Sequence, residues 1–439
     1  MVGKDLIMAT LFGSGGGSSG SGGGGSAGVS PKEVNFYDYD GTCVHAYTVA
    51  EAQALSELPA GPEHPGLVFQ GWNWSLEGVK GLTRAMNIGA MYTTDDGTTR
   101  LYITLQEGRT SPMLGVGVNG TVTVDWGDGT EPDVLTGTSV GTTKWTPNHA
   151  YAKPGDYVIR LTVDGEMVIQ GNANSDQGSS LMRFSSGADA RNVSYQQDLK
   201  KVEIGNSVVA FGNAAFQLCY SLSTISMPNC VKNFNSSVFN NCYSLAFVTV
   251  PIELTRFNGG SVFNGCASIK LVSMPEHATN SGSEMFKYCY SMMSACIPDG
   301  VTAVESNEFY GCYSLRELSL PKNLTRINQS ALNSCYSLGK IDIPESVNVV
   351  EMSAFMDCRS LVSLTFADGI SSFAYGTFYR CYSMLFFDFT AFTAVPSLAS
   401  AQCFTNIPAD CEIRVPAALY DEWIAATNWA TYADYIKAY

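Results

Sequence analysis

Six tyrosines recur one residue after a cysteine, and no other side chains in this sequence are better spaced for recognition chemistry. They are Tyr220, Tyr243, Tyr290, Tyr313, Tyr336 and Tyr382, and Ala267 and Arg359 hold the same place after Cys266 and Cys358. A position that accepts Ala and Arg is not a core position. A row of tyrosines offers rigid amphipathic contacts to a protein or a sugar, or it covers the edge of a coil with stacked rings. A second row runs in phase with the first: Phe247, Leu271, Glu317, Lys340 and Phe386 among Ser and Thr. Phe247, Leu271 and Phe386 are apolar where a solvated strand face would be polar, so they too are candidate ligand contacts.

Catalytic chemistry has less to stand on. Asp38-Tyr39-Asp40-Gly41-Thr42 resembles the nucleophile motif of haloacid-dehalogenase-type phosphatases, in which the first Asp attacks phosphorus. That chemistry needs a buried apolar strand ahead of the Asp and a large α/β domain behind it. Val34 to Tyr37 instead alternates with polar residues, so the motif reads as a hairpin turning at Asp40-Gly41. The four histidines, at 45, 64, 149 and 277, are scattered. Asp125 and Asp128 offer hard oxygens to Ca²⁺ or hold a turn through side-chain-to-backbone hydrogen bonds; the turn is the expectation. Of thirteen cysteines, eight occupy one repeat position and read as small buried apolar plugs. Cys43, Cys230, Cys296, Cys403 and Cys411 show no zinc spacing. No catalytic residue, metal or cofactor is expected.

Charge narrows the partners. Only 15% of residues are charged and the net charge is −15. Phosphate binding needs a basic patch, so nucleic acid is not expected, nor is an anionic membrane surface. No apolar run approaches the roughly 20 residues of a membrane-spanning helix.

The elements that must position the tyrosines are repeats. The cysteines at 219, 242, 266, 289, 312, 335, 358 and 381 are spaced 23, 24, 23, 23, 23, 23 and 23 residues apart, a period that means a solenoid. An aromatic stands three residues before each Cys (Phe216, Phe239, Phe263, Phe286, Phe309, Phe355, Phe378), with Leu332 the exception. Apolar residues follow it, as Leu315, Leu318 and Leu320 do after Cys312, and then a proline such as Pro321 marks the end of a strand. The phrase A-F-x-x-C-x-S-L-x-x-I-x-I-P, seen across Ala354 to Leu361 and Ser314 to Pro321, resembles the BspA type of leucine-rich repeat. That resemblance implies parallel strands about 4.8 Å apart, a shared Phe, Cys and Leu core, and adhesion or binding rather than catalysis.

The fold class expected is mainly β and multidomain. Residues 1–30 read as an N-terminal anchor and Gly/Ser-rich linker. Residues 31–90, with a helix expected over Val49 to Leu58 and P-x-x-P-G-x-x-F-x-G-W ending at Trp72, resemble the β-grasp module of internalin-type adhesins. Trp72 and Trp74 could form a sugar platform, but closing a small core is the expected role of Trp72. Residues 98–170 resemble the PKD domain, an immunoglobulin-like β-sandwich, through Val124-Asp125-Trp126-Gly127-Asp128-Gly129, His149-Ala150-Tyr151 and Gly155-Asp156-Tyr157. A polar lead-in segment, 171–198, precedes the solenoid at 199–416, and a helical C-terminal cap spans 417–439.

The function expected is non-enzymatic: adhesion or receptor binding through the solenoid. The partner would be a host-cell surface protein or glycan. No secretory signal is evident, which points to a phage virion, as a tail or head fibre whose N-terminus meets other virion proteins and which can oligomerise. A bacterial surface adhesin, or the accessory modules of a secreted carbohydrate-active enzyme, are the alternatives.

Overall fold

The computed structural model describes residues 29–108, 111–170, 182–183 and 197–439. The expected anchor and linker up to residue 28, and most of the lead-in segment 171–198, lie outside the described residues. The chain is mainly β, with a long β-solenoid and a short helical C-terminus.

The first sheet is ordered β2-β1-β4-β3. Strands β1 (Val34–Tyr37) and β2 (Cys43–Tyr47) form an antiparallel hairpin. Its turn is closed by Asp38 N–H donating to Thr42 O and Gly41 N–H to Asp38 O, with Gly41 at φ +88°. The Asp-x-Asp-Gly-Thr motif is therefore a turn. Helix α1 (Val49–Gln53) starts with a capping box, Thr48 Oγ1 accepting from Glu51 N–H while Glu51 returns to Thr48 N–H. It is shorter than expected. Pro59 disfavours helix at Leu58, and Leu55 and Leu58 reach the core from irregular backbone. Strand β3 (Leu67–Trp72), helix α2 (Leu76–Gly81) and strand β4 (Met86–Thr94) complete the unit. All nine residues of β4 are buried, because one face meets this unit's own core and the other lies on the solenoid.

Next come β5 (Thr99–Leu105), β6 (Met113–Asp125), β7 (Asp133–Trp145) and β8 (Gly155–Ile169), all paired antiparallel. Trp126 is fully buried, stacks on His149 at 4.5 Å and donates Nε1–H to Asp133; Tyr151 O–H donates to Trp126 O. Asp125 accepts from Gly127 N–H and Asp128 from Thr130 N–H, so both carboxylates hold turns.

These strands run on into the solenoid. A two-residue strand, β9 (Met182–Arg183), pairs with β6. Strand β10 (Leu199–Glu203) pairs antiparallel with β5 on one side and parallel with β12 (Thr224–Ser226) on the other. Strand β11 (Val208–Phe211) lies parallel to β8. Strands β5 and β8 cover the first turn of the solenoid, and one apolar core runs unbroken from Leu101 to Ile436. A stack whose units bury nothing alone must be closed at both ends. At the far end Trp423 and Trp429 are fully buried, helix α3 (Tyr420–Ala425) covers Phe389, and the last strand, Ile436–Ala438, pairs parallel with Glu412–Val415.

Each turn of the solenoid carries the expected rows. Strands such as Phe247–Thr249, Leu271–Ser273 and Glu317–Ser319 pair parallel in register with their neighbours. A proline stands two residues beyond the end of each, at Pro251, Pro275 and Pro321. Phe216, Phe239, Phe263, Phe286 and Phe309 stack at 5.3–5.8 Å. The thirteen cysteines form no disulfide, and burial pushes the thiol pKa of the enclosed repeat cysteines up, to about 12 for Cys266. From Cys242 to Cys381 each repeat thiol donates to the carbonyl of the preceding turn's Phe-row residue, as Cys312 Sγ does to Phe286 O at 3.1 Å. The thiol is a second, weak donor to a carbonyl that already accepts from its own turn's Cys N–H, as Phe286 O does from Cys289 N–H at 3.0 Å.

Candidate ligand-binding surface

The tyrosine row is built by a turn that every unit repeats. The residue before each Cys has left-handed backbone: Leu218, Asn241, Gly265, Tyr288, Gly311, Ser334, Asp357 and Arg380 lie at φ +57° to +76°. That conformation costs about 1–2 kcal/mol for a residue with a Cβ, and it folds the chain so that the residue after the Cys points out of the coil. Tyr220 N–H, for instance, donates to Leu218 O and Tyr313 N–H to Gly311 O.

With strands at rung spacing, the rings stack. Tyr220 and Tyr243 lie 4.8 Å apart at 9°, Tyr290 and Tyr313 5.0 Å apart at 25°, and Tyr313 and Tyr336 4.6 Å apart at 2°. Arg359 continues the ladder: its guanidinium sits 4.2 Å from the Tyr336 ring centre and 5.9 Å from that of Tyr382, held by Asp357 Oδ1. The row is exposed at its edge, Tyr243 to 46% and Tyr382 to 48%. Partial burial, with the neighbouring phenols, pushes the Tyr313 hydroxyl up to about 12, so it stays protonated and able to donate at neutral pH.

The second row is different, and here the structure corrects the expectation. Phe247 and Leu271 are buried beneath the β1–β2 hairpin rather than open to a ligand. The Tyr37 ring lies 5.6 Å from that of Phe247, and a Cβ on Gly41 would stand 2.8 Å from the Phe247 Cβ, so only Gly lets the hairpin tip approach. Phe386 is half-buried under the Arg414 guanidinium, 3.9 Å from its ring centre. The apolar side chains on the strand face are thus explained by contacts within the chain.

Asn73 is the centre of that docking. Its amide donates to Val250 O and to Ser273 O and Oγ at 3.0–3.1 Å, and its carbonyl accepts from Gly89 N–H at 2.8 Å, all buried. Trp74 donates to Met274 O, and Arg84 reaches Asp299 and Ser319. Trp74 is therefore a docking residue. Trp72, buried to 4% exposure and donating to Pro59 O, closes its core as expected, so the two form no sugar platform. Replacing Asn73 with Ala strips partners from several buried polar groups, each worth about 1–3 kcal/mol. A loss of about 2–4 kcal/mol is expected in urea unfolding; a loss below about 0.5 kcal/mol would show that the first unit is not anchored there.

Two features had no reading in the sequence. Between the first sheet and the strand face lies a cleft of about 380 Å³, flanked by Lys32, Glu33, Asp40, Lys270 and Glu317. Inside the solenoid, Glu308 is fully buried in the row that runs Ala215, Val238, Val262, Met285, Ala331, Ala354 and Thr377 elsewhere. The signal for it was a carboxylate in a repeat position held otherwise by apolar residues and one threonine, Thr377. Among the described residues no cluster of His, Cys, Asp and Glu is placed to hold a metal ion, and no helix is long and apolar enough to cross a membrane.

Comparison with known proteins agrees with this geometry. The family described as the BspA type leucine rich repeat region matches residues 191–315 and 279–407, in six copies. The solenoid matches the BspA-type leucine-rich repeat family. Among solved structures, a leucine rich repeat protein of T. pallidum is similar over 44% of this chain and 86% of its own, at 23% identity and a TM-score of 0.36. The pneumococcal vaccine antigen PcpA is similar over 55% of this chain and 68% of its own, at 16% identity and a TM-score of 0.37. A leucine-rich repeat protein from Bacteroides ovatus is similar over 63% of this chain and 99% of its own, at 16% identity and a TM-score of 0.25. No curated protein matches the sequence.

Proposed function

We propose that this BspA-type solenoid is a non-enzymatic binding protein whose tyrosine ladder recognises a protein or glycan on a host-cell surface. We place it on a phage virion, as a tail or head fibre; a bacterial surface adhesin would use the same ladder. The observation that carries the reading is the ladder itself. Its rings are stacked and edge-exposed at a position the repeat does not require to be aromatic, since Ala267 and Arg359 stand there without breaking the coil. Preordered rings bind at little entropic cost. The two N-terminal units, β-grasp-like and PKD-like, would then serve as clamp and cap. The first grips the strand face and the second closes the core, which leaves the ladder side of the coil for a partner.

Replacing Tyr313 and Tyr336 together with Ala tests this. The expected outcome is loss of attachment to the host cell with a stability change of no more than about 0.5–1 kcal/mol per site. A double variant that folds normally and attaches as before would remove the ladder from the binding surface.

A further inference from the structure

The ladder has one break, and its shape is specific. Ala267 stands where a seventh ring would be, between Tyr243 and Tyr290. The two flanking rings are separated by two rungs, about 9–10 Å at ordinary strand spacing. A planar group inserted over Ala267 would lie about 4.8 Å from each ring centre, the spacing of the stacked pairs elsewhere in the ladder. Ala267 is itself partly exposed, and Tyr243 is among the most exposed rings of the row.

The chain shows what such an interval accepts. Two rungs also separate Tyr336 from Tyr382, and there the intervening group is the Arg359 guanidinium, stacked on Tyr336 at 4.2 Å. It is fixed by an acceptor, Asp357 Oδ1, from two residues earlier. Around Ala267 the residue two earlier is Gly265. A Cβ placed on Gly265 would stand 2.2 Å from Asn241 Oδ1. The side-chain oxygen of Asn241 thus takes the space into which an Asp at 265 would project, and an acceptor is again beside the interval. Guanidinium is flat, weakly hydrated and stacks on aromatic faces, whereas an ammonium is a strongly hydrated point charge. The surplus of 40 acidic over 25 basic residues favours a cationic partner as well.

We infer that the interval over Ala267, between Tyr243 and Tyr290, is a slot for an arginine side chain of a protein partner. The inference rests on the ladder being the binding surface and names the chemistry of its anchor point.

The test uses the full-length protein with ¹³C-labelled tyrosine rings, titrated with end-blocked Gly-Arg-Gly and Gly-Lys-Gly peptides. The Arg peptide is expected to shift the Tyr243 and Tyr290 ring resonances, with half-saturation at least about threefold lower than the Lys peptide, as a stacked cation requires. Tyr313 and Tyr336 should move less, since both faces of each are already covered, Tyr313 by Tyr290 and Tyr336, and Tyr336 by Tyr313 and Arg359, whereas Tyr243 and Tyr290 each have one stacked neighbour. Ala267→Arg, which copies Arg359, should abolish the shift and also reduce host-cell attachment. Ala267→Tyr, which completes the ladder, should do the same if the Arg variant folds poorly. Equal shifts from both peptides, equal movement along the row, shifts from a neutral oligosaccharide in place of the Arg peptide, or undiminished shifts in both Ala267 variants would each overturn the slot. If the slot fails while Tyr313→Ala/Tyr336→Ala still loses attachment, the ladder stands as the binding surface and only its anchor is wrong.

Discussion

Phe309→Ala should destabilise the protein by about 3–5 kcal/mol, among the larger losses a single core truncation produces. Phe309 is fully buried, its ring lies 5.3 Å from that of Phe286, and its carbonyl accepts from the Cys335 thiol of the next turn. Removing the ring opens a cavity in the middle of a continuous core. The repeat frame is hydrogen-bonded on both sides, Phe286 N–H to Glu308 O and Phe309 N–H to Ala331 O, and has little freedom to collapse into it. Urea unfolding monitored by far-UV circular dichroism should show the midpoint falling. A change below about 1 kcal/mol would mean that the aromatic row is not the spine of the coil.

The neighbouring side chain should behave in the opposite way. Glu308 is fully buried, and burial pushes its carboxyl up to about 8, with the nearby Glu305 carboxylate adding to the rise and hydrogen bonds opposing it. Oε2 accepts from Glu305 N–H at 2.7 Å, and the carboxyl lines a cavity of about 10 Å³ together with Ser281. The group is thus neutral when folded near pH 7, whereas an unfolded Glu ionises near 4.3. Because the native state then binds the extra proton, stability falls as pH rises from about 4.5 to about 8 and levels off above it. The total is on the order of 3–5 kcal/mol. Glu308→Gln removes the titration. Its stability relative to wild type should therefore climb across that window, becoming clearly positive by pH 8. A difference between the two proteins that is flat from pH 5 to pH 8 would show that Glu308 is already ionised in the fold.

What the sequence disclosed, and what it hid, follows from the range of the interactions. A period of 23 residues imposes the same local environment many times, so the Phe, Cys and Leu rows and the parallel register were legible from spacing alone. The same periodicity exposed the tyrosine row, and even its break at Ala267. The strand face was misread because its explanation is non-local. Phe247 and Leu271 looked like contacts awaiting a ligand, and their partners are Tyr37 and Cys43, some two hundred residues away in the chain. Asn73, which donates to carbonyls of two different solenoid turns, looked like any polar residue beside a Trp. The covering of the first turn is non-local too: β5 joins β10 by pairing that no repeat pattern encodes. Glu308 broke a row that was itself visible, so its burial was available in principle from the equivalent positions of the other turns, apolar in all but Thr377.

The central claim, that the ladder is the surface that meets the partner, is tested most directly on the unmodified protein. Hydroxyl-radical footprinting read by mass spectrometry would compare each tyrosine free in solution and bound to host-cell envelopes. Tyr220, Tyr243, Tyr290, Tyr313, Tyr336 and Tyr382 should be protected together on binding. Tyr375 and Tyr439, exposed to 46% and 57% but off the ladder, should oxidise at the same rate in both states. Protection of Tyr375 and Tyr439 with no change along the ladder would contradict the account.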